Sequence, residues 1–220
     1  MNKETAGKLF RILEKEYPDA SYIPHDDATP FEILVLTILS AQTTDRAVEG
    51  VRVRLFSNYP TPGALAAADP AEVEDIIHST GFFRMKAKNI ISAARMVKTG
   101  FHGCVPDTMD ELLLIPGVGR KTANIVLFHA FGKNEGVAVD THVFRLAGRI
   151  GFSRGKTAGQ VEADLMRCYE KEQWGRLTDL LIAHGRSVCT AKKPLCEACL
   201  IREYCRYYRE LQKKQSDGTP

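Results

Sequence analysis

The chain of 220 residues lacks any apolar run long enough to cross a bilayer, and residues 1–17 mix charged with apolar side chains. The lack of a long apolar run predicts a protein without a membrane partner. The charged residues within 1–17 argue against a secretion signal. The sequence also has no useful stretch of apolar–polar alternation, no tandem repeat and no low-complexity tract before residue 213. These absences argue against sheets and repeat arrays. We therefore expect a cytoplasmic protein built from helices.

Strong net charge is also missing, since the formal charge is only +3 at pH 7. Nucleic-acid binding must therefore be judged from where the basic residues lie. Several of them lie from residue 145 onward: Arg145, Arg149, Arg154, Lys156, Arg186, Lys192, Lys193, Arg202, Arg206 and Arg209. A solvated face is the alternative interpretation of such a cluster. No Pro/Gly-rich linker is present, and a hydrophobic content of 44% is ample for a core, so the pattern alone predicts one helical domain.

Helical spacing of apolar residues and helix-start signals divide the chain into amphipathic segments. The fold class that they predict is all-α. The predicted helices are Lys3–Tyr17, Pro30–Leu39, a third helix ending at Tyr59, short helices beginning at Pro62 and Pro70, a helix that Phe82-Phe83-Arg84 lead into and that runs through Lys98, Met109–Ile115, Arg120–Phe131, Thr141–Arg149, Thr157–Glu170 and Trp174–Ser187.

A glycine turn joins two of these helices. Pro116 stops the first helix, and Gly117 and Gly119 allow backbone angles that are closed to residues with a Cβ. Gly132 marks the end of the second helix. The amides around the glycines and the positive end of the second helix would together form a site for one phosphate. An ordinary αα-hairpin is the alternative, and a nucleotide-binding P-loop is not indicated because no Lys-Ser/Thr pair follows a long glycine loop.

Four cysteines lie close together near the end of the chain with the spacing C-x6-C-x2-C-x5-C. They are Cys189, Cys196, Cys199 and Cys205. Four thiolates can surround zinc or an iron–sulfur cluster, and the chemistry alone does not choose between these, with unligated thiols as a third possibility. Two further cysteines, Cys104 and Cys168, stand alone and are predicted to be buried core thiols.

These features, in this order from Pro30 to Cys205, resemble the endonuclease III family of DNA glycosylases. The resemblance implies a helix-hairpin-helix glycosylase fold with two helical domains and a cleft between them. Residues 22–133 would form a six-helix domain carrying the hairpin, and residues 1–21 with 134–212 would form an iron–sulfur domain followed by a polar tail at 213–220. It also implies that the four cysteines bind a [4Fe–4S] cluster.

Two catalytic residues follow from the resemblance. Lys121, directly after the hairpin, would be the amine nucleophile, and Asp140, nineteen residues later, would be the carboxylate that assists it. A lysine is normally charged at neutral pH, whereas the attacking amine must be unprotonated. The alternatives are that Lys121 is a solvated helix residue and that Asp140 is only the N-cap of the following helix.

A base inside a duplex must be flipped out before it can react, and the family fills the vacancy from two loops. The matching residues here are Gln42 and Phe82. Phe82 stands where leucine is usual, and an anchor in the protein core is its alternative role. Ser40 and Asp45 are candidates for the pocket that holds the flipped base, although either could cap the third helix.

The remaining implied sites concern the hairpin and the loop between the first two clustered cysteines. The hairpin amides at Gly117 and Gly119, together with Lys192 and Lys193, would contact DNA phosphates. His142 would be structural. The carbonyls that would bind a monovalent cation are those of Leu113, Ile115 and Val118.

The resemblance therefore implies a bifunctional DNA glycosylase and AP lyase of base excision repair. It would remove oxidised pyrimidines from damaged duplex DNA through a lysine Schiff base and act as a cytoplasmic, nucleoid-associated monomer. One alternative is a monofunctional mismatch glycosylase of the same fold, acting on thymine or adenine. Another is a non-enzymatic DNA-binding iron–sulfur protein that retains only the scaffold.

Overall fold

A computed structural model describes residues 2–23 and 27–217, and these contain α-helices and short 3-10 turns but no strand. The chain divides into two compact units. We call residues 25–133 the central unit and residues 1–24 with 134–220 the terminal unit. Within the described ranges, no helix combines the length and apolarity needed to span a bilayer.

The central unit is built around one helix that is buried on nearly all sides. Its helices are α2 (Pro30–Leu39), α3 (Asp45–Asn58), α4 (Pro62–Ala66), α5 (Pro70–Ile77), α6 (Phe83–Gly100), α7 (Met109–Leu112) and α8 (Arg120–Phe131). The start of α2 is fixed by a capping box, in which Thr29 and Glu32 satisfy each other's backbone amides. All of its residues from Ile33 to Leu39 are buried, and it packs against both α6 and α8.

The terminal unit brings both ends of the chain together. Its helices are α1 (Lys3–Glu16), α9 (Thr141–Ile150), α10 (Ala158–Cys168), α11 (Trp174–Ser187) and α12 (Arg206–Asp217). The core helix is α11, which packs against α1 and α9. Apolar residues of all four helices α1, α9, α10 and α11 share one core, including the fully buried Leu9, Leu146, Leu165 and Leu181.

Several predicted helix bounds agree with the structure. The predicted bounds Arg120–Phe131 and Trp174–Ser187 match α8 and α11. The prediction of a helix over Met109–Ile115 is wrong beyond Leu112, because the amides of Leu114 and Ile115 bond three residues back instead of four. Helix α12 was not predicted, and it takes in residues 213–217 of the expected polar tail. Its low apolar content explains why periodicity did not reveal it.

The lone cysteines also differ from expectation. Cys104 is exposed, so the prediction that it is a core thiol is wrong. It lies in a turn just after α6, where His102 and Gly103 have positive φ angles, and turns of this kind run over the surface. Cys168 is half-buried against the core of the terminal unit, and that burial raises its pKa.

Candidate functional site

The turn between α7 and α8 depends on one glycine with a conformation that other residues avoid. Gly117 has a φ of 82°, and a Cβ built there would lie 3.1 Å from the Cβ of Asn89. The turn is closed by a hydrogen bond of 3.1 Å that the Val118 amide donates to the Ile115 carbonyl. Ile115 and Val118 are buried, which anchors the turn to the core of the central unit.

Gly119 has a different role from the predicted one. Its φ of −104° and ψ of 177° are open to any residue, and an added Cβ would meet nothing within 4 Å. The expectation that the backbone angles require glycine here is therefore wrong. Gly119 is exposed at the N-terminus of α8, where no side chain caps the helix. The absence of a Cβ leaves room for a ligand to approach these amides closely.

Lys121 lies in the first turn of α8, two residues after Gly119. Its side chain is half-buried, whereas the preceding Arg120 is exposed. Residues Ala123 to Leu127 of the same helix are buried, and α8 packs against α2. The amine is therefore carried by a rigid helix that starts immediately after the turn.

Asp140 is the N-cap of α9 in the terminal unit. Its Oδ1 accepts a hydrogen bond of 2.8 Å from the Val143 amide, so the predicted capping role is confirmed. The side chain is half-buried. Because a cap uses one carboxylate oxygen, the residue retains acceptor capacity on the other.

Gln42 and Phe82 occupy two exposed turns of the central unit. Both have positive φ angles, 52° and 48°, which are uncommon for residues other than glycine and cost of order 1 kcal/mol each. Phe82 is 71% exposed, so it is not a core anchor. Its neighbour Phe83 instead packs against His78, with 4.4 Å between ring centroids.

Neither candidate for the base pocket caps the third helix. The N-cap of α3 is Thr44, whose side chain accepts a hydrogen bond from the Ala47 amide. Ser40 is instead the C-cap of α2, where its hydroxyl donates to the Thr37 carbonyl at 2.7 Å. Asp45 is the first residue of α3, and its side chain lies outside the described residues.

The four clustered cysteines line one pocket of the terminal unit. Apolar side chains, among them Ile150, Val188 and Leu195, form much of its wall. Four thiols grouped in one pocket can surround zinc or an iron–sulfur cluster.

Burial raises the pKa of Cys199 to about 11 and also raises the pKa of Cys196 and Cys205. These thiols would hold their protons at neutral pH in the absence of a cation. Iron ions supply the positive charge that makes thiolates stable in such a pocket. The donor set therefore fits an iron–sulfur centre.

Two arginines of α9 hold the segment that begins at Cys189. Arg149 donates to the carbonyls of Thr190 and Ala191 at 2.7 and 2.8 Å, and its guanidinium lies 3.4 Å from the Cys189 sulfur. Arg145 donates to the Cys189 carbonyl at 3.0 Å. These two members of the basic cluster are therefore bound to backbone and are not part of a solvated face.

Arg145 also explains the environment of His142. One guanidinium nitrogen lies 3.1 Å from His142 Nδ1 and donates to the Gly185 carbonyl at 2.9 Å. A Cβ at Gly185 would approach His142 to 3.0 Å, so the imidazole packs closely against α11. These contacts are structural ones within the terminal unit.

His184 contacts the cysteine site and was not predicted from the sequence to belong to it. Its Nε2 lies 3.5 Å from the Cys199 sulfur, and its Nδ1 lies 3.0 Å from the Tyr17 hydroxyl. Burial lowers the pKa of His184 to about 4, so the imidazole is neutral at pH 7. We assign its proton to Nε2, because the Tyr17 hydroxyl can then donate to Nδ1. Helical periodicity had placed this residue only as part of α11.

Lys192 and Lys193 are both exposed in the segment that Arg149 holds. The Thr190 hydroxyl donates to the Lys193 carbonyl at 2.7 Å, which closes the segment into a compact loop. The hydrogen bonds from Arg149 and Thr190 therefore fix the backbone of a loop that exposes two adjacent lysines to solvent.

Comparison with known proteins identifies the scaffold that carries these features. The family model of HhH-GPD superfamily base excision DNA repair proteins matches residues 35–171. Endonuclease III of Synechocystis sp. is 49% identical over 203 residues, covering 92% of each chain. This chain belongs to the endonuclease III family. The iron–sulfur binding domain of endonuclease III matches residues 189–205, which begin and end at the first and last clustered cysteines.

Two solved endonuclease III structures share the fold. One is a non-covalent endonuclease III–DNA complex, with a TM-score of 0.89, 38% identity and coverage of 97% of this chain and all of that one. The other is a trapped endonuclease III–DNA covalent intermediate, also with a TM-score of 0.89 and 38% identity, covering 96% and 99%. The predicted all-α helix-hairpin-helix glycosylase fold is confirmed.

Membership of the family establishes the class of activity. The chain is a DNA glycosylase and AP lyase of base excision repair, it acts on DNA, and its cofactor is a [4Fe–4S] cluster. The alternatives of a mismatch glycosylase or a non-enzymatic iron–sulfur protein are not favoured.

Proposed function

We propose that this member of the endonuclease III family removes oxidised pyrimidines from duplex DNA with Lys121 as nucleophile and Asp140 as assisting carboxylate. The observation that carries the proposal is the position of Lys121, half-buried in the first turn of α8 immediately after the glycine turn. The similarity to a structure described as a trapped covalent DNA intermediate supports a covalent mechanism for this chain.

In the proposed reaction, the unprotonated Lys121 Nζ attacks C1′ of the damaged nucleotide, and the bond between C1′ and the base breaks. Opening of the sugar ring then gives a Schiff base between Nζ and C1′. The iminium group acidifies the C2′ proton, and loss of that proton expels the 3′ phosphate by β-elimination. The strand is cut, and water releases the lysine.

Asp140 accepts the proton that the attacking amine loses and stabilises the positive charge that develops on the sugar. Its position as the N-cap of α9 supports this role, because the Val143 amide fixes one oxygen and orients the carboxylate. A residue that both caps a helix and accepts a proton needs both oxygens of a carboxylate.

DNA is held mainly through its phosphates in this proposal. The exposed amides at Gly117 and Gly119 bind one phosphate at the start of α8, and Lys192 and Lys193 bind others. Gln42 and Phe82 enter the stack to fill the space of the flipped nucleotide. Ser40 and Asp45 contribute to the pocket for the base.

The cluster has a structural role in this scheme. Cys189, Cys196, Cys199 and Cys205 are the proposed ligands, and the centre that they bind fixes the loop carrying Lys192 and Lys193 without entering the chemistry at the sugar. The carbonyls of Leu113, Ile115 and Val118 are proposed to bind a monovalent cation that stabilises the turn. We propose that the enzyme acts as a monomer on DNA in the cytoplasm, with residues 22–133 and residues 1–21 plus 134–212 as its two domains.

The deciding experiment is borohydride trapping on oligonucleotide duplexes that carry thymine glycol, an abasic site or no lesion. Wild-type protein should give a covalent complex on the first two duplexes. Lys121→Ala should abolish trapping while its affinity for an abasic-site analogue stays within about tenfold, since one side chain that makes no phosphate contact is lost. Lys88→Ala, an exposed lysine of α6, is the matched control and should trap normally. An undiminished band from Lys121→Ala would move the nucleophile elsewhere.

A further inference from the structure

A buried lysine connects the two turns that carry Gln42 and Phe82. Lys86 belongs to the first turns of α6 and is only 5% exposed. Its ammonium donates to the Thr80 carbonyl at 2.7 Å and to the Thr43 hydroxyl. The Thr43 hydroxyl in turn donates to the same Thr80 carbonyl at 2.5 Å. The three groups form a closed triangle inside the central unit.

The triangle joins segments that are far apart in sequence. Thr43 directly follows Gln42, and Thr80 precedes Phe82 by two residues. The backbone amide of Lys86 also donates to the Phe82 carbonyl at 3.1 Å. One residue of α6 therefore bonds both turns, through its side chain and through its backbone.

Stability of the fold does not account for a lysine at this position. In the part of the chain that the structure describes, its ammonium bonds two neutral oxygens and no carboxylate. Burial lowers the pKa of Lys86, which shows that its charged form loses solvation there. Even a buried ion pair, in which each charge has a partner, can often be replaced by apolar residues of similar size without loss of stability. The lysine is better explained by what it holds in place.

The two turns are also the places where the backbone is strained. Gln42 and Phe82 are two of the three non-glycine residues with positive φ among those described. Such conformations persist only when surrounding contacts fix them. Thr80 is buried and its hydroxyl donates to the Ile77 carbonyl at 2.8 Å, so the Phe82 turn is anchored on α5 as well.

We propose that Lys86 is a positioning residue that locks the Gln42 and Phe82 turns together, so that their two exposed side chains enter damaged duplex DNA as one preformed wedge. The inference rests on the proposed function only in that Gln42 and Phe82 are the inserting residues. A preformed wedge saves the entropy of ordering two separate loops when the stack is opened.

The test compares the affinity of full-length holoprotein for a duplex with an abasic-site analogue and for an undamaged duplex. Lys86→Met keeps the length of the side chain and removes the charge and the donors. It should weaken binding to the analogue duplex by about tenfold, as expected for lost hydrogen bonds to a charged group, and should change binding to undamaged duplex by less than about twofold. The control Lys88→Met, two residues along α6 and exposed, should leave both affinities within about twofold.

A second pair of variants keeps the proposal testable if Lys86→Met folds poorly. Thr43→Val removes the shared hydroxyl and should reproduce the selective loss, whereas Thr43→Ser keeps the hydroxyl and should bind as the wild type does. Combining Lys86→Met with Thr43→Val should cost no more than the larger single effect, because both break the same triangle. A 2-aminopurine base next to the abasic-site analogue fluoresces more strongly when it is unstacked. In the complex with every variant that loses affinity, its fluorescence should be lower than in the wild-type complex, because the wedge unstacks the base incompletely.

These variants distinguish a failure of insertion by Gln42 and Phe82 from a failure of locking by Lys86. If Gln42→Ala and Phe82→Ala spare the wild-type preference for the analogue duplex, the insertion role fails and the inference about Lys86 fails with it. If those variants lose the preference while Lys86→Met and Thr43→Val keep it, insertion stands and the locking role of Lys86 is overturned. Equal losses on both duplexes would make Lys86 a general structural residue and would also overturn it.

Discussion

The glycine turn of the central unit and the cysteine loop of the terminal unit are both proposed to hold DNA phosphates, but they are fixed in opposite ways. The turn at Gly117 depends on local backbone geometry and on buried neighbours such as Ile115 and Val118. The loop between Cys189 and Cys205 contains only short 3-10 turns and is held from outside by side chains of other helices, including Arg149 and His184.

This difference separates a site built by sequence neighbours from one built by tertiary contacts and a cofactor. A phosphate site made of backbone amides tolerates changes of most side chains around it and is sensitive to a change of glycine. A loop held by thiolates and arginines is sensitive to loss of any ligand, because metal ligation is coupled to folding.

The largest expected effect is the removal of one cluster ligand. Cys196→Ala should lose the iron, about four atoms per chain in the wild type, and should yield poorly soluble protein because ligation is coupled to folding. Iron analysis of anaerobically purified protein measures this. The matched control is Cys104→Ala, an exposed cysteine of the central unit, which should keep the iron. Zinc without iron in the wild type would overturn the assignment.

Asp140 is the N-cap of α9, the helix whose Arg149 holds the cysteine loop. A change at Asp140 therefore tests whether its catalytic role can be separated from support of that loop. Asp140→Asn should slow base removal by roughly two to four orders of magnitude, as expected for a lost proton acceptor or charge stabiliser. Asparagine caps a helix as well as aspartate does, so iron content and thermal stability should not change. Single-turnover kinetics on thymine-glycol DNA measures the rate. A wild-type rate would leave Asp140 as a cap alone.

The cysteine loop should contribute to binding without regard to sequence or damage. Changing Lys192 and Lys193 together to Ala should weaken binding to lesion duplex and to undamaged duplex by a similar factor. It should also reduce the slope of log affinity against log salt by about two units. The measurement is a titration at several salt concentrations. A control pair, Lys213→Ala with Lys214→Ala on α12, should leave the slope unchanged. Loss of affinity for lesion duplex alone would contradict a role limited to phosphates.

The smallest effects concern the glycine turn. Gly117→Ala should destabilise the protein by about 1–3 kcal/mol, because alanine is strained at positive φ and its Cβ would press on Asn89. Gly119→Ala should cost less than about 1 kcal/mol, the scale of a changed N-cap, yet should weaken DNA binding. Chemical denaturation and DNA titration of both variants test the difference. Equal stability losses would show that both glycines serve the turn.

Much of the fold could be predicted because its helix boundaries carry local signals. Thr29 with Glu32 begins α2, Asp140 begins α9 and Gly132 ends α8, and each does so in the structure. Helix α12 could not be predicted in the same way. It has few apolar residues, and Arg206 joins it to α9 by donating to the Gly148 carbonyl at 2.7 Å.

Residue types and spacing by themselves indicated the helical class, the glycine turn and the group of four cysteines, because each leaves a local pattern in the chain. The residues proposed for catalysis followed from the resemblance of these motifs to a known family. Tertiary structure decided what no pattern records: that Cys104 is exposed, that Arg145 and Arg149 face backbone carbonyls, that His184 lies beside the Cys199 sulfur, and that Lys86 joins two distant turns. The physical reason is that burial and hydrogen bonding depend on which segments pack together, and a single sequence does not show its long-range neighbours.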